Sequence, residues 1–137
     1  MMKLAYAFLV LLLALMAGCA TTKPAAEQSS SPPETVLVTY HVKPGHEAEF
    51  EQTLAKAWQI YRLEHLVLAQ PHIVVRDQED GQKYRYEEIF TWVSHDAPDH
   101  PPATVKAVWG KMTSLCETRD GHTGLEGGEV QIISVAK

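Results

Sequence analysis

Hydrophobic and polar positions change period along this chain in an order that marks out its elements. Thr35-Val-Leu-Val-Thr-Tyr-His-Val42 alternates, with Val36, Val38, Tyr40 and Val42 on one side, which is the period-two pattern of a strand. Lys43-Pro44-Gly45 stops that strand. Glu47, Glu49 and Glu51 follow, where their charge suits the positive end of a helix. Phe50, Leu54, Trp58 and Tyr61 then recur at helical spacing, which predicts a helix from about His46 to Leu66 with one buried stripe.

Pro71 introduces a short apolar segment, His72–Arg76, and the polar Asp77–Gln82, containing Gly81, suits a hairpin. Tyr84–Val93 returns as a third strand, with Tyr84, Tyr86, Glu88, Phe90 and Trp92 on one face and Arg85, Glu87, Ile89, Thr91 and Val93 on the other. After the proline-rich loop His95–Pro102, Pro101 or Pro102 is placed for the first turn of a second helix. Its stripe is Val105, Val108/Trp109, Met112 and Leu115/Cys116, and it ends around Thr118–Gly121. Glu129–Val135 is the expected fourth strand. The order β-α-β-β-α-β predicts an α+β, ferredoxin-like fold: a four-stranded antiparallel sheet with both helices on one face. Leu37, Thr39, His41, Ile89, Thr91 and Val93 would lie on the other face, which is too apolar to stay wet across its width. Pairing two such sheets in a homodimer is the simplest cover.

Ahead of this domain the pattern is different. Lys3, an uncharged run from Leu4 to Ala17, and small residues before Cys19 follow the order of a secretory signal. The run is roughly 14 residues, against the about 20 that a helix needs to cross the hydrocarbon core. Leu15-Met16-Ala17-Gly18-Cys19 resembles the lipobox of bacterial lipoproteins, with Met16 where leucine usually sits. That resemblance implies that residues 1–18 are removed and that Cys19 carries lipid, holding the protein to a membrane of the bacterial cell envelope, facing the periplasm or exterior. Ordinary secretion with cleavage after Ala20 is the alternative. Residues 19–34 hold Ser, Pro and Ala and no large apolar side chain, so they read as a flexible tether, and residues 35–137 as one domain.

Charge and cysteines narrow the classes. A net charge of −5 with both signs interspersed argues against a nucleic-acid partner. With Cys19 taken by lipid, only Cys116 is left, so no disulfide framework is expected and Cys116 reads as packing.

Val38-Thr-Tyr-His-Val-Lys-Pro-Gly-His-Glu-Ala-Glu-Phe50 and Glu88-Ile-Phe90 resemble elements of the antibiotic-biosynthesis-monooxygenase-like superfamily, whose members are dimeric α/β barrels. The resemblance implies one of several functions: cofactor-free oxygenation of aromatic polyketides, haem degradation, isomerisation, or no assigned activity. The family often carries a histidine on the second helix about a dozen residues beyond the glutamate, and His100 falls near that spacing, just ahead of Pro101 and Pro102. Glu88 and His100 are therefore the candidate catalytic residues.

In that fold a pocket lies between helices and sheet. Parity nominates Tyr40, Tyr86, Glu88, Phe90 and Trp92 for it, with Tyr61 and His65 from the first helix. Burial would raise the Glu88 pKa and suit it to acid or base work, whereas a histidine nearby would stabilise its charge. The plainer reading makes Glu88 a satisfied core group bonded to Tyr61, Trp109 or backbone. Seven histidines raise the question of a metal held by His65, His72, His95 and His100. No recognised zinc spacing, nucleophile elbow or phosphate loop occurs, so no metal and no cofactor is assigned, although a three-ligand site assembled from the loop stays open. These expectations describe an envelope-anchored lipoprotein whose domain binds a small, partly apolar ligand. The alternatives are a cofactor-independent monooxygenase-like enzyme and a structural interaction module.

Overall fold

The structure, a computed structural model, describes residues 31–135. The signal, Cys19 and the tether up to residue 30 lie outside the described residues.

β1 (Glu34–Val42) forms where the alternation is strictest, and it buries Val36, Tyr40 and Val42 on its helix side. The turn that follows uses Gly45 at φ 83°, a backbone region that side chains disfavour. α1 (Glu47–Leu63) carries Glu47 and Glu49 in its first turn and buries Phe50, Thr53, Leu54, Ala57 and Tyr61. It stops three residues short of the expected Leu66. The chain instead passes through His65 in the left-handed region at φ 56°, and the Leu66 N–H closes the turn onto the Tyr61 carbonyl.

β2 (Val67–Glu79) is much longer than the expected His72–Arg76. It is an edge strand in the sheet order β2-β3-β1-β4, and an edge tolerates both Pro71 and a mostly exposed, weakly alternating sequence. The Gln70–Pro71 peptide is cis, and the pairing register shifts between Val67 and His72. A short turn at Asp80–Gln82 leads into β3 (Lys83–Trp92), so that Val74 faces Glu88 and His72 faces Phe90. α2 (Ala103–Leu115) begins directly after Pro102, whose carbonyl accepts from the Val105 and Lys106 N–H groups. It ends before the expected Thr118–Gly121, because Cys116 is already extended and bridges to Val42.

The fourth strand is a correction. β4 is Leu125–Glu129, where Glu129–Val135 was expected. β4 is fixed by β1: the Glu117 N–H donates to the His41 carbonyl and the His41 N–H to the Gly124 carbonyl, so pairing starts at once after α2. Gly124 makes this return possible, since a Cβ there would lie 2.8 Å from the Glu117 nitrogen and 2.9 Å from the Cys116 Cβ. β4 then pairs from Tyr40 back to Val36, and the Val130 N–H reaches the Thr35 carbonyl. Beyond that point β1 has run out. The apolar Ile132, Ile133 and Val135 overshoot the sheet and are 57%, 72% and 81% exposed.

All three strand pairs are antiparallel, and the helices pack through one core with Val36, Tyr40, Tyr86 and Phe90, as the ferredoxin-like expectation required. The opposite sheet face carries Leu37, Thr39, Ile89, Ile73 and Val75, with Ile73 and Val75 about half exposed. One end of that face is charged. Arg119, itself buried, reaches the Val42 and Tyr84 carbonyls and pairs with Glu79 and Glu117, pinning the α2–β4 loop to the sheet.

Candidate functional site

Parity along β3 turns five residues toward the helices, and the structure places Tyr86, Glu88, Phe90 and Trp92 there, all buried, beside Tyr40 of β1. Their rings form a connected wall. Tyr40 and Tyr86 each lie 5.0 Å from Phe50, Tyr61 lies 5.9 Å from Phe90 and 5.3 Å from Trp92, and Phe90 packs edge-on against Trp92.

Glu88 is the one acid in this wall and is completely buried. A lone carboxylate there would be costly, but each of its oxygens has a partner. The Tyr40 hydroxyl donates to Oε2 at 2.8 Å, and His72 Nε2 lies 2.9 Å from Oε1. His72 is held in turn by α1, because Trp58 stacks on its ring with centroids 3.6 Å apart and planes within 10°. Tyr61 and Trp109, the side chains named as Glu88 partners in the plainer reading of the sequence, bond to each other instead, with Trp109 Nε1 donating to the Tyr61 hydroxyl at 2.6 Å.

Beside this network lies a cavity of about 440 Å³ between α2 and the β1–β4 side of the sheet. Tyr40, Tyr61, Phe90, Trp92, Trp109 and Met112 contribute to its walls, and Glu34 and Glu129 also border it. The expected pocket is thus displaced. Four of its seven nominated residues line the cavity. Tyr86 lines a separate groove between α1 and β2 with Glu51, His72 and Arg76, its hydroxyl donating to Glu51 at 2.8 Å. Glu88 sits in filled core between the two spaces. His65 is exposed on the turn after α1 and lines neither, because its left-handed backbone carries it past the end of the helix stripe.

His100 is exposed ahead of α2 and does not line the cavity; Pro102 at the helix start keeps it off the helical face. His95 pairs with Glu34 at 2.9 Å on the surface. Among the described residues, no three histidine, cysteine or acidic side chains gather as metal ligands. Reading the sequence missed His72 as the partner of Glu88. The signal for it was the hairpin register, which places His72 on the helix face.

Burial sets the character of the phenols. Tyr40 is held well above the ordinary tyrosine range, first by burial and then by the charge of Glu88. Burial likewise raises Tyr61, against the opposing effect of the Trp109 hydrogen bond. Tyr86 is pushed up to about 12, by burial and then by its bond to Glu51. All three therefore stay protonated near neutral pH. The cavity accordingly offers mostly apolar, aromatic walls with the neutral Tyr40 and Tyr61 and two bordering carboxylates, Glu34 and Glu129, suited to a flat molecule with one or two polar atoms.

No protein-family model matches the chain, and no curated protein shows a significant match. Solved structures do match. The chain is similar to a point mutant of SnoaB, a cofactor-independent oxygenase from Streptomyces nogalater, with 18% identity and a TM-score of 0.56, over 77% of this chain and 97% of that one. PA3566 from Pseudomonas aeruginosa matches at 17% identity and a TM-score of 0.55, over 77% and 98% of the two chains. A provisional antibiotic biosynthesis monooxygenase from Caulobacter crescentus CB15 matches at 16% identity and a TM-score of 0.52, over 76% and 92%. At these identities the shared property is the fold, and the described domain has the ferredoxin-like arrangement of antibiotic biosynthesis monooxygenase structures.

Proposed function

We propose that the chain is an envelope-anchored enzyme of the monooxygenase-like kind, which takes a small aromatic substrate into the cavity between α2 and the sheet and needs no bound cofactor. The observation that carries this reading is the cavity itself: about 440 Å³, walled by aromatic rings, with the Tyr40 hydroxyl tied to a buried carboxylate. That volume lies in the range of roughly 300–1,000 Å³ typical of small-molecule sites. The likeness in fold to an oxygenase that works without cofactor supports the same class. Dioxygen uptake by the full-length chain, with anthrone as a flat probe bearing an activated CH₂ group, tests it. Uptake should saturate with anthrone and fall roughly a hundredfold in Glu88→Gln. No uptake from a protein that binds anthrone would refute the enzyme reading.

A second reading, a ligand-binding module without turnover, is favoured by one observation: His100, the histidine proposed for catalysis, stays outside the cavity. Binding without uptake would establish it.

The proposed protein is held at a membrane through lipid on Cys19, with the polar tether keeping the domain off the surface. Incorporation of labelled palmitate that disappears in Cys19→Ser tests this. It is also proposed to be a homodimer through the open sheet face, supported by half-exposed Ile73 and Val75 and by the overhanging Ile132 and Ile133. Sedimentation of a monomer at high concentration would contradict it.

A further inference from the structure

The cavity and the groove between α1 and β2 lie on opposite sides of Glu88, and three side chains join them. Tyr40 lines the cavity, His72 lines the groove, and Glu88 takes a hydrogen bond from Tyr40 on one oxygen and faces His72 Nε2 with the other. We propose that Tyr40, Glu88 and His72 form a proton relay that carries a proton from a ligand in the cavity to water in the groove. This rests on the reading that the cavity takes a ligand, and it assigns His72 a role that neither the fold nor the position of His100 suggests.

The order of the groups supports the direction. Tyr40 and Glu88 are 2% and 0% exposed, whereas the His72 side chain is 22% exposed and is the member that water reaches. Distances of 2.8 and 2.9 Å leave no gap for a bridging water at either link. The two carboxylate oxygens carry separate partners, so a proton can arrive on one and depart from the other. Trp58, stacked on His72, fixes the ring plane that makes the second link.

The step balances as a pure proton transfer. The relay starts with one proton between Glu88 Oε1 and His72 Nε2 and a second on His72 Nδ1. The ligand's H–A bond breaks as its proton joins the Tyr40 oxygen, and the proton Tyr40 held passes to Glu88 Oε2. The shared proton settles on His72 Nε2, and the Nδ1 proton leaves to groove water. The ligand is left as an anion in the cavity, one proton has entered solvent, Tyr40 is again a neutral phenol, and the Glu88–His72 pair still holds two protons, one on Oε2 and one on Nε2. The groove is also bordered by Glu51, Arg76 and Tyr86, with Arg76 paired to Glu51 at 3.0 Å and the Tyr86 hydroxyl donating to the same carboxylate. That pairing leaves His72 as the group placed to hand the proton on.

The test uses the full chain and two substitutions that keep the hydrogen bonds. His72→Gln retains an amide donor to Glu88, and Glu88→Gln retains an acceptor and a donor, yet neither side chain can pass a proton. The exchange of the Tyr40 hydroxyl proton with water is read by NMR, with Tyr40→Phe identifying the resonance. It should slow roughly tenfold or more in each variant while the melting temperature stays close to that of the parent chain. In a second arm, p-nitrophenol is the cavity probe, and the ionisation of the bound phenol after a pH jump should slow by a similar factor in His72→Gln and in Tyr40→Phe. Hydroxyl exchange unchanged in both folded glutamine variants would overturn the relay. Failure of p-nitrophenol to bind, with exchange slowed as expected, would overturn the cavity reading and leave the proton path standing.

Discussion

The two sides of the helix layer are built over the same sheet and differ in almost every property that a ligand would sense. On the α2 side, Val36, Val38, Phe90, Trp92, Trp109 and Met112 wall a mostly apolar space that Glu34 and Glu129 also border. On the α1 side, Glu51, His72, Arg76 and Tyr86 border a groove whose polar groups pair with one another, as Arg76 does with Glu51. The difference starts in strand position. β1 is flanked on both sides, so beyond Glu34 at its start its helix-facing residues can be apolar or aromatic, whereas β2 is an edge that is mostly exposed and carries His72 and Arg76. Glu88 belongs to β3, between them, and is the one acid that touches both sides. The buried carboxylate is therefore a junction between a mostly apolar space and a more polar one, and the pocket expected around Glu88 is displaced from it by one strand.

Breaking the junction should have the largest effect. Glu88→Ala removes the partner of the buried Tyr40 hydroxyl and of His72 and leaves a void between cavity and groove. The expected loss is about 3 kcal/mol in urea denaturation. A loss below about 1 kcal/mol would mean that the carboxylate is not needed to reconcile the two sides.

Filling the apolar side comes next. A Cβ at Gly127 would lie 3.8 Å from Val38 Cγ2, an ordinary contact, so Gly127→Val should fold while its methyl groups enter the cavity. Affinity for 1-naphthol, followed by tryptophan fluorescence, should fall roughly tenfold or more, about 1.4 kcal/mol or more. Alkaline titration tests the buried phenols on both sides. Tyr86 in the folded chain holds its proton up to about 12, against 10.0 for an ordinary tyrosine. Its contribution to stability is therefore complete below pH 10.0 and is lost as the pH rises to about 12, because over that interval the unfolded chain gives up the proton first. Tyr40 and Tyr61 act in the same sense, so phenolate absorbance from these residues should appear together with unfolding. Arg76→Ala should do least: the Arg76–Glu51 pair is half exposed, and stability should change by no more than about 0.5 kcal/mol with cavity affinity unchanged.

Much of this was legible in the sequence where one face of an element is buried. Alternation in Thr35–Val42 and Tyr84–Val93 assigns Tyr40, Tyr86, Glu88, Phe90 and Trp92 to the helix face, and the structure agrees at every one of these positions. Legibility fails where pairing rather than burial decides. β4 is set by the sharp return at Gly124 and by the length of β1, so its glycines pair while the more strand-like Gln131–Val135 finds no strand partner among the described residues. His72 was hidden for a related reason, since an edge strand containing Pro71 shows no clear period. Counting back from the turn at Asp80–Gln82, which pairs Glu79 with Lys83, reaches Val74 opposite Glu88 and His72 opposite Phe90, and so recovers its face. His65 was misplaced because its left-handed backbone ends the face of α1, whereas His100 stands ahead of α2, where the two prolines after it placed it in the sequence.

Tryptophan fluorescence of the full-length chain titrated with 1-naphthol tests most directly whether the space beside α2 is a ligand site, because Trp92 and Trp109 both line it. Saturable quenching in the parent chain that weakens in Gly127→Val and persists in Arg76→Ala is the predicted result. Quenching that never saturates, or an affinity that Gly127→Val leaves untouched, would contradict it.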